Sequence, residues 1–207
     1  MPTPNEIPPD FAPTQGFDPI AYWIENKGKV LLYAGLLIGV LAAYAAYEIS
    51  VQHAQTSGRL AFAEAKTADD LQKVIRNFPK TVVAGDARLM LAGQLRDGKK
   101  YDEAAATLRA FIADTPLHPL ISSAWLSLAE THDLAGKPDE ALDTYQQTVT
   151  RFPDSYAAPI ALTARAKLLQ SKGKIEDAKR TYESVLAQYP ESIVAREVMH
   201  ELQVLKK

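Results

Sequence analysis

The sequence predicts an all-α protein: one transmembrane helix followed by a solenoid of helical hairpins. Three observations predict it. Val30 to Tyr47 carries no charged side chain in 18 positions, enough for a helix of roughly 27 Å against a hydrocarbon core of about 30 Å. Prolines recur at 79, 116, 153 and 190 and alanines at 104, 141 and 178, each at an interval of 37, which is the self-similarity of a repeat array. Between those marks the apolar residues keep helical spacing.

Composition sets the outer bounds. A chain of 207 residues suits one domain of about 150 residues plus an anchor. Residues 1 to 47 hold two basic and four acidic side chains, leaving 21 of each sign in residues 48 to 207. The larger part is therefore formally neutral, with no global electrostatic pull towards nucleic acid or an anionic membrane surface. Cysteine is absent, which excludes disulfides, thiolate metal sites and thiol catalysis and fits a bacterial periplasm or a cytosol equally.

Residues 1 to 17 contain five prolines and no apolar periodicity, the composition of a disordered tail. Asp18 and Pro19 then read as a helix cap and first helical position, opening a short juxtamembrane helix over 18 to 29, with Gly28 at its join to the span. Residues 30 to 47 form the transmembrane helix, with Trp23, Tyr33, Tyr44 and Tyr47 at the depths where aromatic rings prefer the headgroup boundary. Lys27 and Lys29 flank its N-terminal side, and no Lys or Arg follows on the other side until Arg59. The positive-inside rule therefore puts the N-terminus in the cytoplasm and residues 48 to 207 across the membrane. The competing reading is a cleaved signal peptide, for which Ala43-Tyr44-Ala45 supplies a small-x-small exit. The 29 residues ahead of the apolar run are long for a signal, and no Pro, Gly or Ser cluster breaks the helix near Ala45, so an uncleaved anchor is favoured. Within the span, Gly35 and Gly39 form a Gly-x-x-x-Gly pair that Ala42, Ala43 and Ala46 extend. This is a candidate contact face for a homodimer or for another membrane protein.

Beyond Glu48, small or apolar residues at Ile49, His53, Thr56, Leu60 and Ala63 carry the helix on to about Ala65. Thr67-Ala68-Asp69-Asp70 reads as a capping-box start, and Leu71, Val74, Ile75 and Phe78 give an amphipathic helix stopped by Pro79. From there KKYDEAAATLRAFIADTP, GKPDEALDTYQQTVTRFP and GKIEDAKRTYESVLAQYP are three versions of one helix and its stop. Each follows another amphipathic helix, at about 82 to 96, 119 to 134 and 156 to 171, so the repeating unit is a helical hairpin. The repeats run over about 81–116, 117–153 and 154–190, with a closing helix at 192–205.

These units resemble the tetratricopeptide repeat. The second carries Trp125, Leu128 and Ala129 on its first helix, Ala141 and Tyr145 on its second, and Pro153 at the exit; the third carries Leu162, Ala166, Ala178, Tyr182 and Pro190. The first carries Leu91, Ala92, Ala104, Leu108 and Pro116, but Arg88 stands where Trp125 does. Small residues at 129 and 141 let paired helices approach while Trp125 and Tyr145 fill the gaps. The interval of 37 exceeds the family's usual 34 or so, so turns or helix lengths must differ from its commonest form. The resemblance implies that the first helices line a groove, with Leu89 and Arg96, then Leu126, Glu130 and Asp133, then Ile160 and Lys167 facing it. Members that clamp a carboxylate terminus use Lys and Asn at inner positions that here hold Leu89, Gly93, Leu126 and Glu130, so no such clamp is expected.

A second resemblance concerns the front end. Trp23-x-Glu25-Asn26-x-Gly28-Lys29 leading into one span and then a repeat domain is similar to the ancillary subunit family of the SecYEG translocon. It implies an inner-membrane protein with a periplasmic repeat domain, partnered by translocon subunits, exported chains and chaperones, including a membrane-bound peptidyl-prolyl isomerase.

Catalytic and metal patterns fail on inspection. Gly93 to Lys100 has the Gly and Lys spacing of a phosphate loop, yet Lys100 takes the place of the magnesium-binding Ser or Thr and no strand precedes it. His200-Glu201 opens a zinc-protease pattern whose second histidine position holds Val204. His53, His118, His132 and His200 are far apart in sequence, and packing is the expected role of His132. Acidic pairs such as Asp139-Glu140 and Glu176-Asp177 start each second helix, where negative charge suits the dipole. The sequence therefore predicts an interaction scaffold, with no cofactor and no enzyme chemistry.

Overall fold

The computed structural model describes residues 18–79 and 81–205, so the predicted tail over 1 to 17 lies outside the described residues. Those residues form nine α-helices and no strand: α1 (Pro19–Glu64), α2 (Ala68–Asn77), α3 (Val82–Asp97), α4 (Tyr101–Asp114), α5 (Ile121–Leu134), α6 (Pro138–Arg151), α7 (Ala157–Ser171), α8 (Ile175–Gln188) and α9 (Ala195–Leu205). The described residues divide into two units, one up to Gln52 and one from His53 onward.

In the first unit, Asp18 caps α1 through its Oδ1, which accepts the backbone N–H of Ile20 at 2.9 Å and of Ala21 at 3.2 Å. The helix passes Gly28 without a break, so the juxtamembrane stretch and the apolar run belong to one helix. One glycine costs a helix only about 1 kcal/mol, less than is needed to interrupt a run of strong helix formers. Leu31, Leu36, Ile38, Leu41 and their neighbours are all exposed, and α1 is the one described helix long and apolar enough to cross a membrane.

The second unit is a stack in which each helix from α2 to α8 packs on the next. The end of α1 and α2 form a half repeat: Ala61, Phe62 and Ala65 pack with Leu71, Val74 and Phe78, and Gly58 lies against the Phe78 ring. The predicted capping box is present, with Thr67 Oγ1 accepting from Asp70 N–H and the Asp70 carboxylate accepting from Thr67 N–H. The Thr67 hydroxyl, then Lys73 and the Thr67 backbone, hold the Asp70 carboxyl down to about 2.

The hairpins follow the 37-residue interval. Second helices are capped by Phe78, Thr115, Phe152 and Tyr189, each one residue before a proline, which disfavours helical geometry in the residue preceding it. First helices turn into second helices through a left-handed residue: Lys99 (φ 59°), Gly136 (φ 73°) and Gly173 (φ 72°). In each turn the N–H of the following lysine donates back across six residues, Lys100 to Leu95, Lys137 to His132 and Lys174 to Leu169, which satisfies a carbonyl the helix end leaves open. The phosphate-loop-like stretch is thus the end of α3 and its turn. Ala92, Ala104, Ala129, Ala141, Ala166 and Ala178 are buried where paired helices touch, and Tyr145 and Tyr182 fill the space beside them. Each such ring contributes about 1.5–3 kcal/mol on burial, and burial pushes the Tyr182 hydroxyl up to about 12. The closing helix α9 starts at Ala195, three residues later than expected, and buries Ala195, Val198 and Leu202.

Candidate functional site: the faces of the helical stack

Curvature decides which helices face inward. Besides its hairpin partner α6, α5 also packs on α7, and no comparable contact among the described residues joins α4 to α6 or α6 to α8. The first helices α5 and α7 thus approach each other on one face of the stack, taken as the inner one, while second helices lie on the outer face without such an approach.

The predicted groove residues fall into three groups. Arg96 on α3 and Glu130 on α5 bond to each other at 2.9 Å, and Lys167 on α7 pairs with Glu197 on α9. Both bridges join neighbouring first-layer helices. Asp133 is exposed. Leu89 and Ile160 are half-buried against the adjacent apolar clusters. Leu126 keeps only 8% of its surface and belongs to the cluster that includes Ala129, Ala157 and Ala161, so its side chain serves packing between α5 and α7. Glu197, the partner of Lys167, escaped the sequence reading because it lies beyond the last repeat. On α1, Gly35, Gly39, Ala43 and Ala46 are exposed, and an added Cβ at either glycine would meet nothing within 4 Å.

The outer face shows a second set of features. Between α4, α5 and α6 a hollow of about 370 Å³ is lined by Trp125, His132, Arg109 and Glu140. His132 is 4% exposed. Arg109 donates to its Nε2 at 3.2 Å, so the ring proton sits on Nδ1, 3.2 Å from Glu140 Oε2. Burial, and then the Arg109 charge, push the imidazole below its ordinary value. The expected packing role is met, with a hydrogen-bond relay added to it. One helical layer further on, a hollow of about 490 Å³ between α6, α7 and α8 is lined by Arg165, Arg180, Asp177, Thr181 and the equivalents of the same positions.

Charges at the starts of second helices also tie repeats together. Asp102 accepts from Lys137 at 2.8 Å and Asp139 from Lys172 at 2.7 Å. These lysines hold both carboxyls below their ordinary values, and Asp102 in turn raises Lys137. Besides suiting the helix dipole, Asp102 and Asp139 each reach the turn region of the next repeat. Among the described residues no group of three His, Asp or Glu side chains is placed to hold a metal ion.

No curated protein matches the chain. Residues 21–206 match the family described as tetratricopeptide repeat-like domain. That match takes in almost the whole sequence, the apolar run included, and its pattern is the hairpin array seen in the second unit. The chain belongs to the tetratricopeptide repeat-like domain family.

Proposed function

We propose that this protein is a membrane-anchored scaffold for protein–protein interaction, working beside a protein-export channel of the bacterial inner membrane. The observation that carries the reading is an apolar helix with every side chain from Leu31 to Tyr47 exposed, in a chain whose other unit is a repeat array of a kind that usually binds proteins. Lipid is the natural cover for such a helix. In this reading α1 crosses the membrane once, the N-terminus is cytoplasmic on the side of Lys27 and Lys29, and the repeats are periplasmic. The array takes its partners on the inner face, using Leu89, Arg96, Glu130, Asp133, Ile160 and Lys167, with Leu126 as support beneath them. Partners are translocon subunits, exported chains, and chaperones such as a membrane-bound peptidyl-prolyl isomerase. Gly35, Gly39, Ala43 and Ala46 form the face through which the span meets a second copy or another membrane protein. Its role is binding, with neither cofactor nor catalysis.

Two measurements test the reading. Reporter fusions at residue 66 that are active only after export should be active, and a cytoplasmic result removes the translocon assignment. Affinity purification in mild detergent should bring down translocon components or exported chaperones, and their absence removes the partner assignment. A second reading, a cleaved soluble envelope protein coordinating envelope assembly, draws on Ala43-Tyr44-Ala45. Against it, the family match extends over the apolar run and α1 is unbroken at Ala45. Sequencing the mature N-terminus separates the two.

A further inference from the structure

The outer hollow between α6, α7 and α8 carries chemistry that its counterpart one repeat earlier lacks. The two are lined by equivalent positions shifted by 37 residues. In the earlier one, Leu128, Glu140 and Asp143 stand where the later one has Arg165, Asp177 and Arg180. That exchange turns a hollow with one cation and two carboxylates into one with two guanidinium groups and one carboxylate.

The later set is also incompletely paired. Asp177 is engaged by Arg180 at 2.5 Å. Arg165 has only a long bond, 3.4 Å, from one terminal nitrogen to Thr181 Oγ1, and its Nε is buried without a partner. Thr181 gives its own proton to the Asp177 carbonyl, so its oxygen can only accept. A guanidinium has five N–H donors in a planar fork matched to a carboxylate, and a buried donor left unmade costs free energy. Val149, Leu162 and Leu169 add an apolar lining suited to methylene groups.

We propose that this hollow binds a carboxylate presented by an acidic protein segment, with Arg165 as the fork and Arg180 as the second cation. Such a site lies on the opposite side of the stack from the first-helix face, so it is independent of whichever partner that face takes. A glutamate side chain fits the chemistry: its oxygens meet the guanidinium groups while its methylenes cover the leucine and valine lining.

The test uses the full chain in detergent micelles and a fluorescein-labelled peptide of alternating leucine and glutamate, with a leucine–glutamine peptide as control. Saturable binding of the glutamate peptide alone is expected. Arg165→Gln should weaken it by about tenfold or more, the value of one charge-assisted hydrogen bond, and Arg180→Gln, at an exposed position, should also weaken it with an unchanged melting temperature. Arg196→Gln, which removes the same charge away from the hollow, should leave binding unchanged. Equal binding of the two peptides, unaltered binding in both hollow variants, or no saturable binding overturns the proposal. Acetate and inorganic phosphate are titrated as competitors. Tight binding of either free anion without peptide binding also overturns the assignment to a protein segment.

Discussion

The junction between the first and second repeats and the junction between the second and third occupy equivalent positions, yet they are filled in opposite ways. At the first, Phe111 is fully buried, His118 stands edge-on to it with ring centres 4.9 Å apart, and Gly85 makes room for both. At the second the same three positions hold Thr148, Ser155 and Ser122. His118 accepts the Leu120 N–H on Nδ1 and donates from Nε2 to the Val82 carbonyl, so it stitches α3 to the loop before α5. The first junction is thus a bulky aromatic plug with a glycine recess, and the second is built from small polar residues, of which Thr148 and Ser122 are buried. The difference teaches that a repeat array keeps its geometry by compensating within each junction, not by repeating one residue set.

Substitutions can break that contrast. Phe111→Ala should cost about 3–5 kcal/mol, the range for emptying a buried aromatic site, whereas Thr148→Ala should cost about 1 kcal/mol. Urea titrations of the full chain in micelles check this, and equal losses would mean that the junctions are energetically alike. Gly85→Ala is next. A methyl there would lie 2.8 Å from two His118 ring atoms and 3.0 Å from Phe111, so despite the better helix propensity of alanine the change should destabilise by about 1–3 kcal/mol. Adding His118→Ser should recover most of that loss, and a double-mutant cycle showing no coupling would dismiss the recess.

The turns sharpen the comparison at a smaller scale. Lys99 holds a left-handed backbone that Gly136 and Gly173 hold one and two repeats later. A side chain in that region costs roughly 1 kcal/mol or a little more, so Gly136→Ala should raise local instability by about that amount and Lys99→Gly should relieve it. Thermal melts of the two variants should shift in opposite directions.

The smallest expected effect concerns pH. His132 stands where the flanking repeats have Leu95 and Leu169. Burial lowers its folded-state pKa below the ordinary 6.5, so the neutral ring is the folded form. Its stability contribution is complete above about pH 6.5 and falls as pH drops through that value towards the folded pKa. His132→Leu should therefore flatten the decline in melting temperature between about pH 7 and pH 5; parallel curves would show that burial does not lower the His132 pKa.

Much of the fold was legible because its signals are local. A proline stops the helix before it, Thr67 and Asp70 cap α2 by short-range bonds, and alanines at fixed intervals mark helix contacts. The site was less legible because its signals are not local. Leu126 has the spacing of an inner-face residue, but first helices pack on both sides and apolar periodicity cannot separate a neighbouring helix from a partner. Arg96 and Glu130 are 34 residues apart and their pairing depends on how two helices lean. Gly85 within a helix reads as a weakness until His118 is placed against it. Interchanges at equivalent positions, such as Arg165 for Leu128, were visible in the aligned repeats but gained meaning only once the hollow around them was seen.

The bridges between Arg96 and Glu130 and between Lys167 and Glu197 have a consequence for kinetics. Four of the charges along the first-helix face are already neutralised in pairs, so these four add little long-range field towards an approaching protein. For a partner taken on this face, as proposed, the paired residues should steer encounter little and its rate should change little with ionic strength, leaving residence time as the quantity by which one partner is distinguished from another.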